Sequence, residues 1–216
     1  MTTLKLDGKP FSYPTRSAQN AGHRTSVAYA RARMSNAAIH DRAPRAATRT
    51  RIGIVSQPFY RDSSRRTSIR ARMESLLAEH GGRGAEAVTL LAASTDHLFA
   101  RVARGQGMRL SVVIPCKNFQ NFFATPDDLA EYIELRTVAY SHTALDYATF
   151  DREAFEKASK FIVDTCDLLV VVGSGHKPTL PGSTGSIVQY ASEKGKQLVW
   201  IDPEAPLMAP HRSLIR

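Results

Sequence analysis

From Arg51 onward, apolar positions follow two alternating periods: short β-branched runs, and stretches with apolar residues three and four apart. RIGIVS (Arg51–Ser56) predicts a strand, followed by Pro58 and a polar turn. Ile69, Met73, Leu76 and Leu77 share one face of a helix predicted from Ser64 to His80, which Gly81-Gly82 ends. AVTLLA (Ala87–Ala92) predicts a second strand, Thr95–Gln106 a helix with Leu98, Phe99 and Val102 inward, and LSVVIP (Leu110–Pro115) a third strand. Thr125-Pro126-Asp127-Asp128 starts a helix that runs to Thr137. There the threonine caps, the proline suits the first helical position, and the acids suit the positive end of the dipole. Val138–Phe150 has room for a short edge strand. Asp151–Thr165 predicts a helix with Phe155, Ala158 and Ile162 on one stripe. DLLVVV (Asp167–Val172) is apolar on both faces, as a central parallel strand covered by helices on both sides must be. A Gly-rich loop, Gly173–Ser186, leads into a helix over Ser186–Lys194, and QLVWI (Gln197–Ile201) is the last strand. This alternation predicts a doubly wound α/β sandwich with a mostly parallel sheet.

Residues 1–50 follow neither period. They are rich in Ser, Thr, Ala and Arg and poor in large aliphatic residues, so they cannot bury enough surface to offset ordering entropy. Only Ser26–Ile39, with Val27, Ala30, Met34 and Ala37 at helical spacing, predicts a transient helix. The expected organisation is a basic, largely disordered tail (1–50), a Rossmann-like domain (51–204) and a C-terminal tail (205–216).

Charge sharpens that division. The chain carries a net +9, yet residues 1–51 hold ten Lys/Arg against two acids, a net +8, and the remainder is close to neutral. The arginines of the tail are dispersed and lack interleaved aromatics, which argues against nucleic-acid binding. Arg- and Ser-rich, acid-poor composition fits an organelle-targeting or export segment instead.

Further classes drop out. No apolar run reaches the about 18–20 residues needed to span a bilayer, and the first residues lack the apolar core of a secretory signal. Cys116 and Cys166 fall at opposite strand ends, so a disulfide between them is not expected, and no CxxC or HExxH spacing implies zinc. The expectation is a cytoplasmic protein without a cofactor, with homo-oligomerisation open.

In open parallel sheets ligands bind beyond the carboxyl ends of the strands. That rule nominates Ser56 and Arg61 after the first strand, Ser94 and Asp96 after the second, Lys117 after the third, and the loop from Gly173 and Ser174 after the central one. In that loop Gly182, Ser183, Thr184 and Gly185 open a helix, whose free N–H groups and hydroxyls can receive an anionic oxygen. The spacing matches neither a Walker A loop nor a dinucleotide fingerprint, since Pro178 stands where a third glycine is needed. Gly and Pro also serve as an ordinary strand-to-helix connection. Asp96 has two readings, a helix N-terminal charge or a ribose hydroxyl acceptor and base. Trp200 and Phe155 read as core residues, and Asp164 and Asp167 as turn residues at the opposite edge.

Arg51–Pro203, about 150 residues, resembles the SLOG superfamily, the Rossmann-like group that contains the LONELY GUY phosphoribohydrolases and nucleotide-sensing domains of bacterial defence systems. GIVSQPFYRD stands where relatives carry a Gly-His-Arg turn, with Arg61 in the basic position. Ser94-Thr95-Asp96 stands at their Gly-Ala-Asp turn. LSVVIP with Asn118-Phe119 matches in pattern, and VDTCDLLVVVGSG…GSTGSIVQYASEKGKQLVWIDP (Val163–Pro203) is similar to their aspartate-bounded strand, glycine-threonine loop and helix-strand pair. The resemblance implies a nucleotide or nucleotide-derived ligand with phosphates at Gly182–Gly185. It extends to N-glycosidic cleavage only with a different carboxylate. The phosphoribohydrolases place a Glu one helical turn past the glycine-threonine pair; here Ser186, Ile187 or Gln189 occupies that place, and Glu193 lies too far along. Asp96 is then the remaining acid/base candidate.

Overall fold

A computed structural model describes residues 4–6, 9–11, 49–56, 63–173, 183–204 and 212–214. The chain divides into two units, 1–48 and 49–216. Of the first, an antiparallel pair of three-residue strands is described, β1 (Leu4–Leu6) and β2 (Lys9–Phe11). The predicted transient helix at Ser26–Ile39 lies outside the described residues.

The second unit holds one sheet of seven strands: β3 (Arg51–Ser56), β4 (Glu86–Thr89), β5 (Arg109–Ile114), β6 (Ser141–Ala144), β7 (Leu168–Val172), β8 (Gln197–Ile201) and β9 (Arg212–Leu214). Their spatial order is β6-β5-β4-β3-β7-β8-β9. The first six are parallel, and β9 adds antiparallel to β8, where the sequence suggested only a tail. The short edge strand expected within 138–150 is β6. Among the described residues five α-helices connect the strands: α1 (Ser63–His80), α2 (Ser94–Gly105), α3 (Pro126–Thr137), α4 (Arg152–Thr165) and α5 (Thr184–Glu193). Thr125 and Asp151 cap α3 and α4 by accepting the N–H groups of Asp128 and Ala154.

Side chains alternate between two cores, as strand geometry requires. Ile52 and Ile54 of β3, with Leu168, Val170 and Val172 of β7, face one core with Ile69, Met73, Leu76 and Leu77 of α1 and Leu98, Phe99 and Val102 of α2. Val55, Leu169 and Val171 face the other, with Ala158, Ile162 and Val163 of α4 and Ile187 and Ala191 of α5. The connections thus change face where the strand order reverses, between β3 and β7. At Gly53, in the middle of β3, an added Cβ would meet Ile162 Cγ2 at 2.6 Å, so glycine is what lets α4 lie this close to the sheet. Cys116 and Cys166 are free and buried, and burial pushes the Cys166 thiol up to about 11. Among the described residues no helix is long and apolar enough to cross a membrane.

Two predicted boundaries move by more than one residue, each for a local reason. The second strand ends at Thr89 rather than Ala92, because Leu91 takes φ of 56°, which breaks extended backbone. The last helix begins at Thr184 rather than Ser186, because the Ser183 hydroxyl accepts the Ser186 N–H and so caps two residues earlier.

Candidate functional site at the carboxyl edge of the sheet

The β3/β7 switch point brings Ser56, Asp96 and Gly173 of the nominated residues together. Ser56, the last residue of β3, pairs with Val172, the last residue of β7, so it stands beside Gly173, where the Gly-rich loop leaves the sheet. On the other side of β3, pairing with β4 stops at Gly53 and Val88. Asp96, in the first turn of α2, reaches back toward β3. Its carboxylate accepts the Ser56 hydroxyl at 2.7 Å and the Ala92 N–H at 3.0 Å.

Asp96 is only 6% exposed. Burial lifts its carboxyl above the ordinary 3.8, against the pull of the Ser56 hydroxyl, the Ala92 N–H, the nearby His97 and the Ala93 N–H. The carboxylate therefore does what a capping acid does at a helix start, since the Ala93 cap position makes no side-chain hydrogen bond. It also ties two neighbouring strand ends together, which a helix cap alone does not require.

The turn from β4 into α2 is held at every backbone group named below. The Leu91 N–H donates to Thr89 Oγ1 at 3.1 Å, the Leu91 carbonyl lies 3.0 Å from His97 Nε2, and the Ala92 N–H is held by Asp96. Among the described residues Leu91 is the one non-glycine with positive φ. A left-handed leucine costs on the order of 1–2 kcal/mol, and the surrounding bonds sustain it.

On the β7 side, the Gly173 N–H donates to the Ile201 carbonyl at 3.1 Å, and the Gly173 carbonyl accepts Trp200 Nε1–H at 2.6 Å. Trp200 is thus half-buried and anchors the first residue of the loop, rather than serving only as core. Thr184 and Gly185 form the first turn of α5, where helical geometry leaves the backbone N–H groups without intrahelical acceptors. Ser94 opens α2, two residues after Ala92. Lys117 stands apart: its ammonium is exposed and pairs with the exposed Asp146 at 3.0 Å. Arg61, Ser174 and Gly182 lie outside the described residues.

Two buried polar residues that no strand-end position nominates are Arg72 and His97. Arg72 is 5% exposed and donates to the Asp202 carbonyl just past β8, at 3.3 Å. Its signal was visible: an arginine at 72 interrupts the stripe of Ile69, Met73 and Leu76 on the buried face of α1. His97 is buried between the Leu91 carbonyl and Glu131 of α3. At the opposite edge, Asp167 accepts the Arg51 N–H and Asp164 accepts the Tyr190 hydroxyl, turn and helix roles remote from the switch point. Among the described residues no group of three or more His, Cys, Asp or Glu side chains is placed to hold a metal ion.

The parallel sheet, helices on both faces and the reversal at β3/β7 define a Rossmann-like α/β protein. That fold is shared with solved structures of low sequence identity. DNA processing protein A (DprA) from Streptococcus pneumoniae superposes with a TM-score of 0.52 at 17% identity, covering 70% of this chain and 50% of that one. The chain therefore spans about half the length of DprA. The molybdenum cofactor binding protein from the phototrophic bacterium Rippkaea orientalis matches with a TM-score of 0.48 at 12% identity, over 73% of this chain and 78% of that one. A Moco carrier protein from Chlamydomonas reinhardtii matches with a TM-score of 0.42 at 16% identity, over 71% and 76%. At these identities the likeness is one of fold. No protein-family model matches the chain, and no curated protein does.

Proposed function

We propose that the chain binds a nucleotide or nucleotide-derived small molecule at the carboxyl edge of its sheet, around the β3/β7 switch point. The observation that carries this reading is the pairing of Ser56 with Val172, which brings the Ser56–Asp96 bond and the start of the Gly173 loop to one place. Strand order makes that place the crevice in which doubly wound folds take ligands. The first turn of α5, at Thr184 and Gly185, supplies small residues and N–H donors suited to phosphate oxygens. Ser56, Ser94 and Asp96 stand on the side suited to ribose hydroxyls, and Lys117, paired with Asp146, stands apart from them. Thermal shifts with mononucleotides, NAD, ADP-ribose and cyclic dinucleotides test the reading. A ligand at 100 times its Kd adds about 2.7 kcal/mol of stability, and no stabilisation by any of them removes the proposal.

A second reading rests on the place of Asp96, buried against Ser56 at the strand ends, where burial lifts its carboxyl. A carboxyl lifted by burial is suited to acid/base work, and Asp96 would then protonate the leaving base in N-glycosidic cleavage of a nucleoside monophosphate, with water taking its place on the sugar. The assay is release of free base, compared between wild type and an Asp96→Asn variant shown to be folded by circular dichroism. Unchanged release in that variant ends the reading.

A further inference from the structure

His97 has two hydrogen-bonding partners, and neither of them donates. Nε2 lies 3.0 Å from the Leu91 carbonyl oxygen, which can only accept. Nδ1 lies 3.1 Å from Glu131 Oε2. The other Glu131 oxygen accepts Arg101 Nε–H at 2.8 Å. Burial pushes the Glu131 carboxyl up, but the Arg101 hydrogen bond and His97 outweigh it, and the carboxyl lies below its ordinary value. Glu131 is therefore an ionised acceptor. Two acceptors facing one ring leave a single assignment in which both contacts are hydrogen bonds: a proton on each nitrogen.

The surroundings suit that charge. His97 is 1% exposed. The charged groups around it are Glu131 from α3, Asp96 and Arg101 from its own helix, and, beyond Arg101, Glu134, which accepts Arg101 Nη2–H at 2.9 Å. β4 and its turn contribute the Leu91 carbonyl, and the loop before α3 the Phe123 ring, 6.2 Å between centroids. Neither neutral tautomer is satisfied here. With the proton on Nε2, a lone pair faces the Glu131 carboxylate; with the proton on Nδ1, a lone pair faces the Leu91 carbonyl.

We propose that His97 is a proton-dependent clip on the Leu91 turn: as an imidazolium it bridges Glu131 of α3 to the Leu91 carbonyl, and on deprotonation the carboxylate keeps the Nδ1 proton while the Nε2 proton passes to solvent, which releases the turn. The strained Leu91 conformation makes the release directional, because a left-handed leucine relaxes once a bond that sustains it is gone. Ala92, whose N–H is held by Asp96, moves with the turn, and so does the Ser56–Asp96 bond. Only the last consequence rests on the proposed ligand site: a ligand held by Ser56 and Asp96 would bind more weakly as the clip opens.

The test needs no ligand, so its failure and the failure of the ligand reading are separable. Ring ¹⁵N correlation spectra of the full chain are recorded from about pH 5 to 9, with hydrogen exchange at Ala92 corrected for its intrinsic pH dependence. The expected result is an imidazolium pattern for His97 on the acidic side that converts to a single N–H with rising pH. Exchange at Ala92 rises in step by about tenfold, as loss of one hydrogen bond to a charged group gives. In Glu131→Gln, which keeps the ring and removes the carboxylate, the conversion shifts to lower pH. A neutral ring throughout, a ring that never converts, Ala92 exchange indifferent to the ring proton, or an unshifted conversion in Glu131→Gln each overturns the proposal.

Discussion

The two sides of the switch point are built in opposite ways. On the β4–α2 side, position is set by buried side chains that bond to named backbone groups: Thr89, Asp96 and His97 around Leu91, with Ser56 reaching across from β3. On the β7–α5 side, the described groups are small residues, one serine cap and a tryptophan that holds a backbone carbonyl. The first side spends burial and strain on a polar lock around Leu91. The second leaves backbone donors at a helix start. The proposed ligand site uses both, a wall positioned by side chains and donors that approach an anion closely.

If the lock is what organises the edge, its removal must cost more than removal of the cap. Asp96→Ala leaves the Ser56 hydroxyl and the Ala92 N–H without their acceptor, and urea denaturation should show a loss of about 2–4 kcal/mol. A loss smaller than that of the cap variant below would break the comparison. Gly53→Ala, on the strand shared by both sides, forces a Cβ against Ile162 and should cost about 1–3 kcal/mol. Ser183→Ala removes the α5 cap and should cost about 1 kcal/mol by the same measurement. Lys117→Ala removes an exposed ion pair and should change stability by less than about 0.5 kcal/mol.

The acid at the centre of the lock also leaves a pH signature. The Asp96 carboxyl is raised in the folded protein, so the folded state holds its proton more tightly than the unfolded chain does. The stability it contributes is therefore fully present below the ordinary value of 3.8 and falls as pH rises through the raised value. Comparing wild type with Asp96→Asn across this range should show the wild type losing ground as pH rises, and a constant difference would contradict the assignment.

Much of this architecture is legible in the sequence, because it depends on local periodicity. The β-branched runs at 51–56 and 168–172, the cap at Thr125, and the stripe of α1 all act through near neighbours in the chain. Strand ends also nominated Ser56 and Asp96, which the fold brings together from 40 residues apart. The 3-10 turn at Phe119–Phe122 and strand β9 were not legible, since the first is held by an aromatic cluster with Tyr132 and Phe150, and the second by pairing with β8. His97 escaped for the same reason. Its partners, a carbonyl six residues back and Glu131 on another helix, have no shared spacing to betray them.

The most direct test of the central claim is a backbone amide NMR titration of the full chain with AMP, ADP and ADP-ribose. Shifts are expected at Ser56, at Ala92–Asp96, at Gly173 and at Thr184–Gly185, on both sides of the β3/β7 switch point. Shifts confined to the amino edge, around Arg51, Glu86 and Asp167, or no shift with any of the three, would contradict the claim.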